Sequence, residues 1–128
     1  MKVQVKDFMT SPVTVAEGKI SVNEIRTLMK QKEIHALPII YNTDDELVIR
    51  GIITSSDLCC QIDDSIPIEE AVRFSRVYVI SPNTNAKSAA EMMLKHNMHH
   101  IVVMENGKLV GMVSSLDFVK LVATHTLD

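Results

Sequence analysis

The strongest constraint on this chain is that it repeats itself. Gly51-Ile52-Ile53-Thr54-Ser55-Ser56-Asp57-Leu58 returns sixty positions on as Gly111-Met112-Val113-Ser114-Ser115-Leu116-Asp117-Phe118. Upstream, Ile34-His35-Ala36-Leu37-Pro38-Ile39 returns sixty-four positions on as Met98-His99-His100-Ile101-Val102-Val103, and Val13-Thr14-Val15 returns as Val77-Tyr78-Val79 at the same offset. The change of offset falls where Tyr41-Asn42-Thr43-Asp44-Asp45-Glu46 is longer than Glu105-Asn106-Gly107-Lys108. A surface loop absorbs such an insertion at little cost. A unit of roughly 60 residues buries too small a share of its own surface to be comfortably stable. The two copies, residues 5–62 and 63–124, are therefore expected to pack as one module with a pseudo-twofold relation, leaving two equivalent clefts between them as the place to look for ligands.

Each copy reads as strand, helix, strand, strand, helix. In the first, Val13–Val15 is a short apolar run, and Ser21 with Glu24 makes a capping box opening a helix with Val22, Ile25, Leu28 and Met29 on one face, ending near Glu33. Leu37–Ile40 and Leu47–Thr54 are expected to be hairpin strands, with Ser55 or Ser56 capping a second helix. In the second copy Asn85 caps a helix with Ala86, Ala89, Met92, Met93 and His96 inward, and Asn97 stops it. Ile101–Met104 and Leu109–Ser114 flank the strong turn signal Asn106-Gly107, and a last helix is expected over about 115–124, with Leu116, Val119 and Val122 among its apolar positions.

Composition narrows the function classes. With 46% hydrophobic residues the chain is no disordered tail, and a net charge of −3 is no footprint for a nucleic-acid duplex or an anionic membrane. No apolar stretch reaches membrane-spanning length, and MKVQVKDFMT lacks the apolar centre of a secretion signal. The only cysteines, Cys59 and Cys60, are adjacent and close no loop. They fit a reducing compartment, so a cytoplasmic location is expected. Aromatics are 4% and Met is used 8 times, so the core must be aliphatic and Met-filled.

The spacing Gly, two apolar residues, Ser or Thr, two residues, Asp, following an apolar strand that starts after a His, resembles the CBS domain. Two copies over residues 5 to 124 resemble a stand-alone tandem CBS pair. The resemblance implies an α/β (α+β) fold of two β-α-β-β-α repeats packed through their sheets. It further implies a regulatory module rather than an enzyme, with no required cofactor and an adenine nucleotide in the clefts, AMP foremost, or ADP, ATP or a related adenosyl compound. In the family the motif Asp accepts hydrogen bonds from both ribose hydroxyls, which assigns Asp57 and Asp117. A carboxylate is acceptor-only with two oxygens and suits a vicinal diol. Thr54 and Ser114 face phosphate at the strand-to-helix junction, and Ser56 supplies a further hydroxyl where the second copy has Leu116. The adenine is expected against Ser75, Arg76 and Met98 for the Asp57 site, and against Ser11, Pro12 and Ile34 for the Asp117 site. His99 and His100 reach phosphates in the first; the second has His35 followed by Ala36. The Asp57 site is therefore expected to be the tighter. The resemblance also implies a homodimer joined through helices such as that carrying Ala89, Ala90, Met92 and Met93. It names no regulated partner.

Each feature has a plainer reading. Asp57 and Asp117 suit helix starts through the helix dipole alone. His96 and His100 have the i, i+4 spacing of some zinc sites, but Asn97 breaks the helix between them and no Cys or carboxylate lies close in sequence to complete a shell. Cys59 and Cys60 lack Cys-x-x-Cys spacing and at least one of them is expected to pack in the core, and Ser55, Ser56, Ser114 and Ser115 have no local base. The alternative to ligand sensing is a structural dimerisation scaffold with degenerate sites.

Overall fold

The computed structural model describes residues 2–43, 46–59 and 62–124. Two three-stranded sheets are built alike. In the first, β1 (Ala16–Glu17) runs parallel to β2 (Ala36–Asn42), which pairs antiparallel with β3 (Leu47–Thr54). In the second, β4 (Val79–Ile80), β5 (His100–Glu105) and β6 (Lys108–Ser114) repeat the order. Even the irregularity recurs, with the register shifting between Ile39 and Ile40 and again between Val103 and Met104. Duplication is thus written into the hydrogen-bond ladder as well as the residues.

Local chemistry sets the helices. In α1 (Val22–Lys32) the Ser21 hydroxyl accepts the Glu24 amide at 3.1 Å, and Val22, Ile25 and Met29 are buried at helical spacing. Glu33 takes a left-handed conformation and the Ile34 amide bonds back to the Met29 carbonyl at 3.0 Å, closing the helix as a C-terminal cap. In α3 (Ala86–His96) the Asn85 side chain accepts from Lys87, and Asn97 is left-handed in the place of Glu33. The β5–β6 turn has φ of 53° at Asn106 and 75° at Gly107, the left-handed pair that the Asn-Gly signal predicts.

Four expectations are corrected. The parallel edge strands lie at Ala16–Glu17 and Val79–Ile80, not at Val13–Val15 and Val77–Val79, because a two-residue edge exists only where it meets its partners, Ile39–Ile40 and Val102–Val103. The second helix of the first copy is a single 3₁₀ turn, Ser55–Leu58, whereas its counterpart α4 runs Ser115–Thr124. Its cap is Thr54, not Ser55 or Ser56, because the Thr54 backbone is still extended and its hydroxyl accepts the Asp57 amide. His96 is exposed instead of facing the core: at the last residue of α3 its ring stacks on Tyr78, 4.3 Å between centroids, with the tyrosine hydroxyl 3.0 Å from Nδ1.

In space the chain divides into two compact units that cut across the sequence repeats. One is Thr14–Val77; the other joins the residues up to Val13 to those from Tyr78 onward. Each unit receives an arm from outside its own repeat. Residues 64–68 lie against the start of α1, with Val22 N donating to Ile66 O at 2.9 Å and Ile68 N to Ile20 O at 2.7 Å. The N-terminal arm does the same beside α3, with Val5 N donating to Thr84 O and Ala86 N to Val3 O, each at 2.8 Å. The first unit's core is Val22, Ile25, Met29, Leu37, Ile39, Ile53, Leu58 and Ile68. The second unit buries Val5, Ile80, Ala89, Met93, Ile101, Val103 and Val113. The arm residues Ile68 and Val5 are both fully buried, so each arm completes a core as well as pairing its backbone. Leu121 of α4 is buried with Val3 and Ala86. Among the described residues no helix is long and apolar enough to cross a membrane.

Candidate functional site

The repeated motif makes the same small structure twice. At the end of β3 the Thr54 amide donates to Asp57 Oδ2 at 2.9 Å, the Thr54 hydroxyl lies 3.0 Å from the same oxygen, and the Asp57 amide points back to the hydroxyl at 3.4 Å. At the end of β6 the Ser114 amide donates to Asp117 Oδ2 at 2.8 Å and the Asp117 amide to Ser114 Oγ at 3.2 Å. This is a reciprocal capping box, so part of the reason for an Asp three residues after a hydroxyl is the helix start itself. Both boxes engage Oδ2. Oδ1 of each aspartate accepts no hydrogen bond among the described residues and keeps its acceptor capacity. Asp57 and Ser56 are exposed; Asp117 is half-buried.

The motif glycine has a separate task that the sequence reading did not assign. A Cβ at Gly51 would lie 2.6 Å from Phe74 Cβ, so the glycine is what lets Phe74 lie against β3. At Gly111 the space is taken by Met9 and by the Thr10 carbonyl oxygen at 3.2 Å. There the incoming segment is held by a backbone pair, Thr10 N to Met112 O at 2.8 Å and Met112 N to Thr10 O at 3.0 Å, followed directly by Ser11 and a cis Pro12. Glycine inside a strand is a recognised mark of close backbone approach and was the available signal for both segments.

The residues singled out from sequence therefore divide between the units. Thr54, Ser56, Asp57, Ser75 and Arg76 share the unit Thr14–Val77 with Ile34 and His35. Ser11, Pro12, Met98, His99, His100, Ser114 and Asp117 share the other. Within each unit a histidine meets the motif through backbone: Ser55 N donates to His35 O at 2.8 Å, and Ser115 N to His99 O at 3.0 Å. Ile34, His35 and Ser55 also line an open cleft of ≈ 490 Å³ with Arg26, Lys30 and Leu58, in which Arg26 Nε is paired with Asp64 at 3.0 Å. The expected groupings of Asp57 with Met98, His99 and His100, and of Asp117 with Ile34 and His35, draw on both units.

Tyr41 is raised above its ordinary value of 10.0, chiefly by donating a hydrogen bond to the Glu69 carboxylate. Asp63 is lowered below its ordinary 3.8 because its Oδ1 accepts from the Ser65 hydroxyl at 2.6 Å and the Ser65 amide at 2.9 Å. Among the described residues no three His, Cys, Asp or Glu side chains gather as a metal would require. Cys59 is free and exposed at the open end of the 3₁₀ turn, and Cys60, the other candidate for core packing, lies outside the described residues.

The comparisons with known proteins agree with this geometry. A family model described as the CBS domain matches residues 5–64 and again 68–124. A CBS domain-containing protein of Bacillus subtilis, YhcV, is 26% identical over 115 residues, covering 86% of this chain and 79% of that protein. An A-adding tRNA nucleotidyltransferase of Aquifex aeolicus is 32% identical over 124 residues, covering 95% of this chain but 15% of the enzyme. Among solved structures, the CBS domain pair of protein MJ0100, in complex with 5′-methylthioadenosine and S-adenosyl-L-methionine, superposes with a TM-score of 0.78 at 26% identity, covering 96% of this chain and 98% of that one. Repeated ladder, repeated capping box and repeated family match converge, and the chain belongs to the CBS domain family, as a pair of such domains.

Proposed function

We propose that this chain is a non-catalytic regulatory module of the cytoplasm that binds an adenosyl ligand, AMP foremost, with its repeats 5–62 and 63–124 acting as one CBS pair. The observation that carries the reading is the twofold recurrence of an aspartate with one oxygen spent on its own helix start and the other open, beside a strand edge narrowed by glycine. The open oxygen suits a ribose diol, Thr54 and Ser114 with the neighbouring amides suit phosphate, and Ser75–Arg76 and Ser11–Pro12 flank the base. The adenosyl compounds bound by MJ0100 support this ligand class. Ligand binding acts by population shift: a compound favours one arrangement by its difference in affinity for the alternatives.

Thermal unfolding with AMP, ADP, ATP, NAD and S-adenosylmethionine tests the reading. At a hundredfold excess over its dissociation constant a ligand adds about 2.7 kcal/mol, a shift of several degrees. No shift with any of the five overturns it.

A second reading, a dimerisation scaffold, is favoured by one surface. Leu116, Val119 and Val122 run along α4 at 58%, 61% and 56% exposure, and Leu94 on α3 is 83% exposed. These residues mark a homodimer contact, compatible with ligand binding or replacing it. A dimer in sedimentation that becomes monomeric on Val119→Glu, in a protein that binds none of the five compounds, would select the scaffold.

A further inference from the structure

Four side chains that the binding reading leaves unused meet on the unit Thr14–Val77. Arg50 stands on β3 next to the motif glycine, and its guanidinium carbon lies 5.4 Å from the centre of the Tyr41 ring and 5.7 Å from that of Phe74. Its Nη1 is 3.4 Å from the Tyr41 hydroxyl, which in turn donates to the Glu69 carboxylate. Glu69 is itself tied down, its amide donating to Gly18 O at 3.1 Å. One guanidinium thus links β2, β3 and the segment that follows α2 (Ile68–Ala71). A planar cation between two aromatic faces is attracted by both rings, and when exposed it holds position better than an ammonium because its fork is rigid. The other unit fixes its incoming segment differently, through the Thr10–Met112 backbone pair, and carries Val110 where the first repeat carries Arg50.

We propose that Arg50, clasped between Tyr41 and Phe74, is a positioning residue for the Asp57 site: through Phe74 it holds the segment carrying Ser75 and Arg76 against β3, setting ligand affinity there and not at the Asp117 site. The effect on ligand rests on the function proposed above; the clasp itself does not. Arg50 touches no ligand in this scheme. Its influence passes through Phe74, whose Cβ fills the space left by Gly51, so a loosened ring frees the backbone that follows it.

The test reads both parts, on the full chain with Arg50→Met, Arg50→Lys and, as a second way to break the clasp, Phe74→Leu. Without ligand, amide hydrogen exchange over residues 72–77 is expected to quicken about tenfold in Arg50→Met and Phe74→Leu and less in Arg50→Lys, while residues 9–13 stay unchanged. With AMP and with S-adenosylmethionine, calorimetry is expected to show about a fivefold to tenfold weaker site in Arg50→Met, partly restored in Arg50→Lys, with the site abolished by Asp117→Ala unaffected. Unchanged exchange over 72–77 overturns the clasp. Faster exchange with unaltered affinity overturns the positioning role, as does equal weakening of both sites. If the wild-type protein binds neither compound, calorimetry is run with ADP, ATP and NAD; if none of the five binds, the ligand reading of the site fails and the positioning role with it, and the exchange data alone still decide whether the clasp exists.

Discussion

Asp57→Asn separates the two tasks of the motif carboxylate. Oδ2 is taken by the Thr54 amide at 2.9 Å and the Thr54 hydroxyl at 3.0 Å, and Oδ1 is open. Asparagine keeps the shape: its carbonyl oxygen takes over the bond from the Thr54 amide, which puts the NH₂ group, a donor, where a ribose diol needs an acceptor. Hydrogen bonds to a charged acceptor contribute about 1.5–3 kcal/mol each against roughly 1 for neutral pairs. Losing one such bond weakens the ligand by roughly 10- to 100-fold. The helix start loses only the charge on an exposed cap, about 0.5–1 kcal/mol, or ~2–5 °C in unfolding temperature. Calorimetry with AMP and with S-adenosylmethionine gives the affinity, and unfolding without ligand gives the stability. Affinity within twofold of wild type, alongside the expected drop in unfolding temperature, would show that the carboxylate serves only its own helix. Asp117→Asn is expected to spare the tighter site; the reverse order would refute the ranking of the two sites by Ser56 and Leu116.

Gly51→Ala is expected to destabilise by about 1–3 kcal/mol, because the new methyl meets Phe74 Cβ, which is fixed to the backbone. Gly111→Ala should cost less, since it mainly displaces the flexible Met9 side chain; equal unfolding midpoints in denaturant would contradict this. In a Tyr78→Phe background the absorbance titration of Tyr41 is expected above its ordinary value, falling back towards 10.0 in Glu69→Gln. Because the folded value is raised, the associated stability is intact below the unfolded value and lost as pH climbs through the raised one, so wild type should lose stability relative to Tyr41→Phe in that window. Asp63 is depressed, so its contribution is intact above 3.8 and fades as pH falls through the lowered value. Carboxyl NMR of Ser65→Ala should show it moving partway up, the Ser65 amide still holding the rest.

What could be read from the residues alone was what neighbours in sequence determine. α1 and α3 begin at Ser21 and Asn85 and end at Glu33 and Asn97 as expected, because caps and the 3.6-residue stripe act within one or two turns. The repeated motif was legible as a repeat, but its Thr54–Asp57 and Ser114–Asp117 capping pairs were not, the cap being expected at Ser55 or Ser56 because nothing local shows that Thr54 is still extended. Distant contacts decided the rest. β1 and β4 sit where β2 and β5 offer a partner, not where the apolar run lies. The turn after Thr54 stops at Leu58 although the motif matches that of the ten-residue α4. The Arg50 clasp joins Tyr41, Glu69 and Phe74 from separate elements, and no local pattern announces such a meeting.

The exchanged arms bear on how the two repeats depend on each other. Residues 64–68 serve the first helix and residues 3–5 serve the third, so neither repeat supplies the strap that completes its own core. Each repeat thus carries one arm and one seat of the same kind, and in this chain each arm is seated beside the helix of the other repeat. Splitting the polypeptide after residue 62 should therefore yield halves that recover their fold only when mixed, each lending the other its strap.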